Sequence, residues 1–144
     1  MILQDTFEPK PRAAGITLLS KGLIHSLDSY YQTLTSSKPK LTRLLEYLGQ
    51  HYSQKITTKD VCQHMCMSVS TLNRFLQKET GLSMISLLHH IRIQHAMELL
   101  QTTTDSVSNI GYSIGFESAN TFCEIFKREL GMTPLTFRRN SELF

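Results

Sequence analysis

From residue 57 onward the chain contains one helical pattern twice, at an offset of 50 residues. The shift aligns polar starts, apolar middles and glycine ends: Ser68 with Ser118, Thr71 with Thr121, Leu72 with Phe122, Phe75 with Ile125, Leu76 with Phe126, Lys78 with Arg128, Gly81 with Gly131 and Ser83 with Thr133. Upstream the offset becomes 49, so that one residue has been added near Glu117, and the pairs are Val61 with Ile110, Cys62 with Gly111 and Met65 with Ile114. A repeat of this kind predicts two copies of one supersecondary unit.

Each copy has the pattern of two short helices joined by a tight turn. N-cap residues indicate where helices start and C′ glycines where they end. In chain order these residues are Thr57 with Asp60 as a capping box, Ser68 or Ser70, Gly81, Ser83, Asp105 or Ser106, Ser118 and Gly131. A small residue, Cys62 or Gly111, lies where the two helices would approach closely. This is the plan of a helix-turn-helix, whose second helix can enter the major groove of DNA, although a bundle of helical hairpins would show the same pattern.

A longer helix connects the two copies. It is predicted over 83–101, with Leu88, Ile93, Ala96 and Leu100 on its inner side. At 1.5 Å per residue such a helix measures about 27 Å, which approaches the roughly 34 Å between successive major grooves on one face of a duplex. A single chain could then present two recognition helices without forming a dimer.

The predicted fold is all-α, with two helix-turn-helix subdomains joined by a long central helix and about seven helices in one domain at 40–141. The first helix-turn-helix is expected at 57–81, the central helix at 83–101 and the second helix-turn-helix at 105–131. Another helix at 41–52 precedes them, and Thr133-Pro134 starts a final one over 135–139. Residues 1–39 are expected to form an N-terminal extension, with a disordered start, an amphipathic helix at 16–34 and a linker at 35–40.

Charge and composition restrict the function only loosely. The net charge is +3, but residues 41–144 contain ten Lys or Arg and nine Asp or Glu, so any affinity for DNA depends on where the charges lie. The chain has neither a membrane-spanning stretch nor a secretion signal at its start, which predicts a cytoplasmic, nucleoid-associated protein without a membrane partner. Three cysteines without framework spacing indicate reduced thiols. The sequence has no catalytic set and no Gly-rich phosphate loop, so we expect neither an enzyme nor a cofactor.

The segment 110–138 carries the most specific pattern of the chain. It contains a Gly-Phe-x-Ser turn, then Phe-x-x-x-Phe-Lys, then Gly-x-Thr-Pro-x-x-Phe-Arg, which begin at Gly115, Phe122 and Gly131. Together with Arg74, with Lys-Glu-Thr-Gly-Leu-Ser at 78–83 and with Ile-Arg-Ile at 91–93, the chain from about 41 to 139 resembles the C-terminal DNA-binding domain of the AraC/XylS transcription regulators. The resemblance implies a sequence-specific regulator of double-stranded DNA, usually an activator, that works with RNA polymerase in bacteria.

The resemblance also implies which exposed positions touch base edges: Ser70, Asn73 and Arg74 in the first recognition helix, and Ala119, Asn120, Cys123 and Glu124 in the second. Arg74 can donate a bidentate pair to guanine, and Asn73 and Asn120 can each pair with adenine, while Ser70 can equally serve as a helix cap. Glu124 stands where the family commonly has Arg. It repels phosphates but can accept a hydrogen bond from cytosine N4, and Ala119 offers only a methyl group to thymine.

Several basic residues are candidates for phosphate contacts, although each could instead be a solvated surface charge: Lys59, Lys78, Lys127, Arg128 and Arg138. Arg92, in the middle of the central helix, is expected to be structural and to pair with a carboxylate.

Cysteines and histidines suggest a metal site, but the spacing argues against one. Cys62 and Cys66 share one helix face, whereas His64 between them points away, so we predict no metal and expect buried thiols. Cys123, near the proposed DNA face, could sense oxidants. The central helix has further histidines without a partner at ligand spacing, which we expect at the surface: His89, His90 and His95.

A second function is compatible with the same residues. A module that kept the fold but binds another regulator or RNA polymerase, without reading DNA, would explain the weak basic balance, Ala119 and Glu124. Residues 1–39 are too few to form an effector pocket, so no small-molecule effector is expected. The amphipathic helix at 16–34 either dimerises or packs on the domain, which predicts a monomer or a weak dimer. Target genes, the operator and the direction of regulation do not follow from the sequence.

Overall fold

The computed structural model describes residues 38–142, and this range folds into seven α-helices without a strand. In chain order they are α1 (Pro39–His51), α2 (Thr58–Met65), α3 (Val69–Glu79), α4 (Met84–Thr102), α5 (Val107–Ser113), α6 (Ala119–Leu130) and α7 (Pro134–Glu142). The all-α prediction is therefore confirmed for this range. The amphipathic helix predicted at 16–34 and the start of the extension lie outside the described residues.

Local hydrogen bonds explain where the helices begin. The predicted capping box forms, because Asp60 N donates to Thr57 Oγ1 at 3.1 Å and Thr57 N donates to Asp60 Oδ2 at 2.9 Å. Serine hydroxyls accept from backbone N–H groups at the starts of the next four helices, with Ser68, Ser83, Ser106 and Ser118 as the caps. The sequence left two caps open, and the structure shows that Ser68 and not Ser70 caps α3 and that Ser106 and not Asp105 caps α5.

Each repeat unit has its own apolar core, and α4 contributes to both. Its first half supplies Met84, Leu87, Leu88 and Ile91 to the core of α1, α2 and α3. Its second half supplies Ile93, Ala96, Met97 and Leu100 to the core of α5, α6 and α7. The helix is therefore buried on more sides than the single inner face predicted, because it runs through two cores in succession.

The small residue of the second repeat marks a close helix contact, as predicted. A Cβ atom built on Gly111 would lie 2.8 Å from Cδ2 of Phe122, a side chain with no exposed surface. In the first unit Cys62 takes the place of Gly111 and Leu72 that of Phe122, and both are buried in one core.

Arg92 has the structural role expected of it, but two expectations about polar side chains are wrong: that Arg92 pairs with a carboxylate, and that His90 lies at the surface. Arg92 pairs with carbonyls and not with a carboxylate, since its Nε donates to Tyr52 O at 2.7 Å and its Nη2 to Gln54 O at 2.8 Å. His90 is 9% exposed and its Nδ1 lies 3.8 Å from Glu129 Oε1, because α4 is covered on that side as well. The other two histidines of α4, His89 and His95, are half-buried.

The thiol prediction holds for one cysteine of the pair and fails for the other. Cys62 is buried, whereas Cys66 is exposed because it follows the last residue of α2 with a left-handed φ of 57°. Among residues 38–142 no group of three or more His, Cys, Asp or Glu side chains could hold a metal ion. None of the seven helices is long and apolar enough to cross a membrane.

Candidate nucleic-acid interface

The second helix of the first unit, α3, has one buried face and one polar face. Leu72 and Leu76 are fully buried in the first core and anchor the helix. On the opposite face Ser70, Asn73 and Arg74 are exposed, at the spacing i, i+3 and i+4 that places side chains next to each other on a helix. The structure thus brings the three predicted base-contact residues of this helix together.

The second helix of the second unit, α6, is built in the same way. Its buried residues are Phe122, Ile125, Phe126 and Leu130. Of the predicted base-contact residues, Asn120 and Glu124 are exposed, while Ala119 and Cys123 are partly buried. Cys123 packs against the second core, so less of it is available to a ligand than of its repeat equivalent Asn73.

The two polar faces differ in charge. Arg74 and Lys78 are exposed on α3, and no carboxylate of residues 38–142 lies within ion-pair distance of either. The acidic residue at the end of α3, Glu79, is neutralised by Lys38, with Nζ at 2.9 Å from Oε1. On α6 the exposed carboxylate of Glu124 takes the place of Arg74, while the exposed Arg128 takes the place of Lys78. The first unit therefore presents the more favourable surface to a polyanion.

The candidate phosphate contacts fall into two groups. Four are exposed and lie on the helices of the two units: Lys59 on α2, Lys78 on α3, and Lys127 and Arg128 on α6. The fifth, Arg138, is half-buried, and its guanidinium donates from Nε to Leu100 O and from Nη2 to Thr103 O, both at 3.1 Å. These bonds satisfy carbonyls at the C-terminal end of α4, which gives Arg138 a structural role.

The thiol of Cys123 is poorly suited to sensing oxidants. Burial raises the pKa of Cys123 above its ordinary value of 9.0. The thiolate is the form that reacts, and its fraction at neutral pH falls as the pKa rises.

One exposed side chain on the proposed face was missed from the sequence. Val69, the first residue of α3, is 51% exposed and adjoins Ser70. The internal repeat would have identified it, because Val69 is the equivalent of Ala119 at the offset of 50. Its methyl groups could contact the methyl of thymine in the same way.

The chain is similar to known helix-turn-helix proteins. A family model described as "Helix-turn-helix domain" matches residues 61–140. The HTH-type transcriptional activator RhaS of Klebsiella pneumoniae (strain 342) is 31% identical over 114 residues, which make up 79% of this chain and 41% of that protein. The chain thus spans less than half the length of this relative.

Solved structures agree with this assignment. The C-terminal domain of AraT, a response regulator from Geobacillus stearothermophilus, is 32% identical with a TM-score of 0.67, and the match covers 72% of this chain and 86% of that one. An AraC-type regulator from Chromobacterium violaceum is 25% identical with a TM-score of 0.70, over 74% and 95% of the two chains. With two helix-turn-helix units joined by a shared central helix, the chain belongs to the AraC/XylS family of DNA-binding transcription regulators.

Proposed function

We propose that this protein reads a specific double-stranded DNA sequence by inserting α3 and α6 into two successive major grooves on one face of the duplex. One observation supports this most strongly: two repeat-equivalent helices each bury an apolar row in their own core and expose a polar row on the other side. A helix presented in this way fits the width of the major groove. The DNA-binding unit would be the domain at 40–141.

The first unit is proposed to carry most of the base reading. Arg74 would pair with guanine O6 and N7, Asn73 with adenine, and Ser70 and Val69 would complete the surface of α3. In the second unit Asn120 would read adenine, Glu124 would accept from cytosine N4, and Ala119 and Cys123 would provide apolar contact. Phosphates would be bound by the exposed cations Lys59, Lys78, Lys127 and Arg128, with Arg138 acting mainly through α4.

The test begins with duplexes that the protein selects from a random-sequence pool. On the best selected duplex, Arg74→Ala should weaken binding about 5- to 150-fold, since a bidentate Arg–guanine pair discriminates by about 1–3 kcal/mol. The matched control is Arg139→Ala, which removes the same charge from an exposed position on α7. The control should lose much less affinity, and only Arg74→Ala should relax the base preference at one position.

Electrophoretic shifts over a range of salt concentrations provide both readouts. Binding of the parent should fall steeply with salt, because phosphate contacts release counterions. Arg74→Ala binding as tightly and as selectively as the parent would remove the assigned contact. A parent that selects no duplex would overturn the proposed function itself.

We further propose that the protein activates transcription and contacts RNA polymerase, as a monomer on its site. The relative RhaS is named a transcriptional activator, and two recognition helices in one chain make a dimer unnecessary for binding two half-sites. Transcription in vitro with a bacterial RNA polymerase should rise when the protein is added to a template that carries the selected site.

A second candidate function is a protein-binding module that does not read DNA. The exposed carboxylate of Glu124 on α6 favours it, since it would repel phosphates, and so does Tyr112, which is 54% exposed on α5. Glu124→Arg distinguishes the two functions. If α6 lies in a groove, this change should raise affinity for random duplexes by adding a phosphate contact. If the protein is a protein-binding module, neither the parent nor Glu124→Arg should shift a duplex in electrophoresis.

A further inference from the structure

Arg92 occupies the boundary between the two cores. Its neighbour Ile91 belongs to the first core and its other neighbour Ile93 to the second. Arg92 itself is only 7% exposed, and burial of a guanidinium is costly unless its N–H groups have partners. The partners of this buried guanidinium therefore indicate its role in the fold.

On one side, Arg92 binds the first unit. The loop that follows α1 offers two backbone carbonyls, Tyr52 O at 2.7 Å from Nε and Gln54 O at 2.8 Å from Nη2. The ring of Tyr52 also stacks on His95, with centroids 3.9 Å apart and planes inclined by 1°. This loop is thereby fastened to the middle of α4.

On the other side, Arg92 contacts the turn of the second unit. Its Cζ atom lies 5.5 Å from the centroid of Phe116, a ring that belongs to the second core. At Gly115, where φ is +107°, a Cβ atom would lie 2.6 Å from Tyr52 O and 2.8 Å from Arg92 Nε. The turn of the second helix-turn-helix, the loop after α1 and the guanidinium are thus in direct contact.

We propose that Arg92 is a positioning residue that fixes the orientation of the second helix-turn-helix relative to the first. The proposal rests on the proposed function for its consequence on DNA: the fixed orientation sets the spacing between the two half-sites. Without Arg92 the loop after α1 would lose two hydrogen bonds to α4. Besides α4, the units would then be joined by Tyr52, which packs against both cores, and by the exposed ion pair of Lys55 and Glu117 at 3.9 Å. One additional base pair between the half-sites moves the second by about 3.4 Å and rotates it by roughly 35°, which a rigid pair of helices cannot follow.

The first test measures spacing tolerance on DNA. The probes are the duplex selected by the parent and versions with one base pair inserted or removed between its two half-sites. For the parent, the changed spacing should weaken binding by about tenfold or more, since the second contact is lost when geometry forbids it. For Arg92→Met, which keeps an apolar stem but no donor, this penalty should shrink to about threefold or less.

The matched control is Arg138→Met. Arg138 also donates from Nε and Nη2 to two carbonyls, those of Leu100 and Thr103, but both lie on the same side of the boundary as Arg138 itself. Whatever its effect on absolute affinity, Arg138→Met should keep the spacing penalty of the parent. Arg92→Lys serves as a second variant if the Met variant does not fold. The ammonium of Lys can still donate hydrogen bonds but lacks the rigid planar fork of the guanidinium, so its penalty should be intermediate.

The second test needs no DNA. Residual dipolar couplings of backbone N–H groups in the full chain report the relative orientation of the two units. In the parent and in Arg138→Met, both units should fit a single alignment tensor, whereas in Arg92→Met each unit should require its own. A single tensor in the Arg92 variants, or a spacing penalty equal to that of the parent, overturns the proposal. A parent that binds no duplex overturns the proposed function alone, since the couplings still decide whether Arg92 positions the units.

Discussion

Gly111 tests whether the close packing of α5 on α6 is as tight as the structure indicates. A Cβ atom at this position would lie 2.8 Å from Cδ2, 3.0 Å from Cγ and 3.1 Å from Cβ of Phe122. Ordinary carbon–carbon contacts are about 3.5–4.0 Å, so the ring would have to move by roughly 0.7 Å in Gly111→Ala. The ring is fully buried and has Phe116 and Phe126 as neighbours, with centroids at 5.5 and 5.7 Å, so it cannot move alone.

The expected magnitude follows from two opposing effects. Overpacking of a core costs about 1–3 kcal/mol, and Ala is favoured over Gly inside a helix by about 1 kcal/mol. Because the ring has no free space to enter, we expect the upper part of that range and a net loss of about 1–2 kcal/mol in the free energy of unfolding. The matched control is Gly49→Ala in α1, where a Cβ atom meets nothing within 4 Å. There the helix preference acts alone, so stability should rise by about 0.5–1 kcal/mol.

Urea unfolding followed by circular dichroism measures both changes from the shift in midpoint at constant slope. Phe122→Leu adds a compensation test, because the smaller leucine side chain makes room for the methyl group of Gly111→Ala. The double variant then resembles the first unit, which has Cys62 and Leu72 at the equivalent positions. The double variant should be more stable than the sum of the two single changes indicates. The close approach of α5 to α6 would be refuted by two results together. These are a Gly111→Ala variant as stable as Gly49→Ala, and a double variant whose change in stability equals the sum of the two single changes.

Two further predictions concern pH. Burial, followed by the charges of Arg128 and Arg92, lowers the pKa of His89 below 6.5. The folded state therefore binds fewer protons than the unfolded state, and its stability should fall as pH falls below about 6.5. His89→Gln should reduce this pH dependence of the melting temperature between about pH 7 and 5. Hydrogen bonds from the backbone and side chain of Thr57 lower the pKa of Asp60 from 3.8, so its contribution is present above that value and is lost as pH falls through the lower folded pKa. Asp60→Asn should accordingly flatten the loss of stability in melting curves below about pH 4, and an unchanged acid limb would contradict the capping role.

The local features of this chain follow from its sequence because they depend on residues close together along it. A helix cap needs only a hydroxyl or carboxylate within three positions of the N–H it binds, which is why Thr57 with Asp60, and Ser118, could be identified in advance. The internal repeat predicted two further features, since it placed Gly111 where the two helices approach closely and aligned the exposed rows of α3 and α6. The polar faces of both helices were predictable for the same reason.

The tertiary structure alone decided the partners of the buried polar groups. Arg92 meets carbonyls 38 and 40 residues away, and Arg138 does so across 35 and 38 residues. His90 is buried by α6, from which Glu129 approaches it. No spacing along the chain encodes such pairs, because a backbone carbonyl is present at every residue and only the packing of distant helices determines which one a guanidinium reaches.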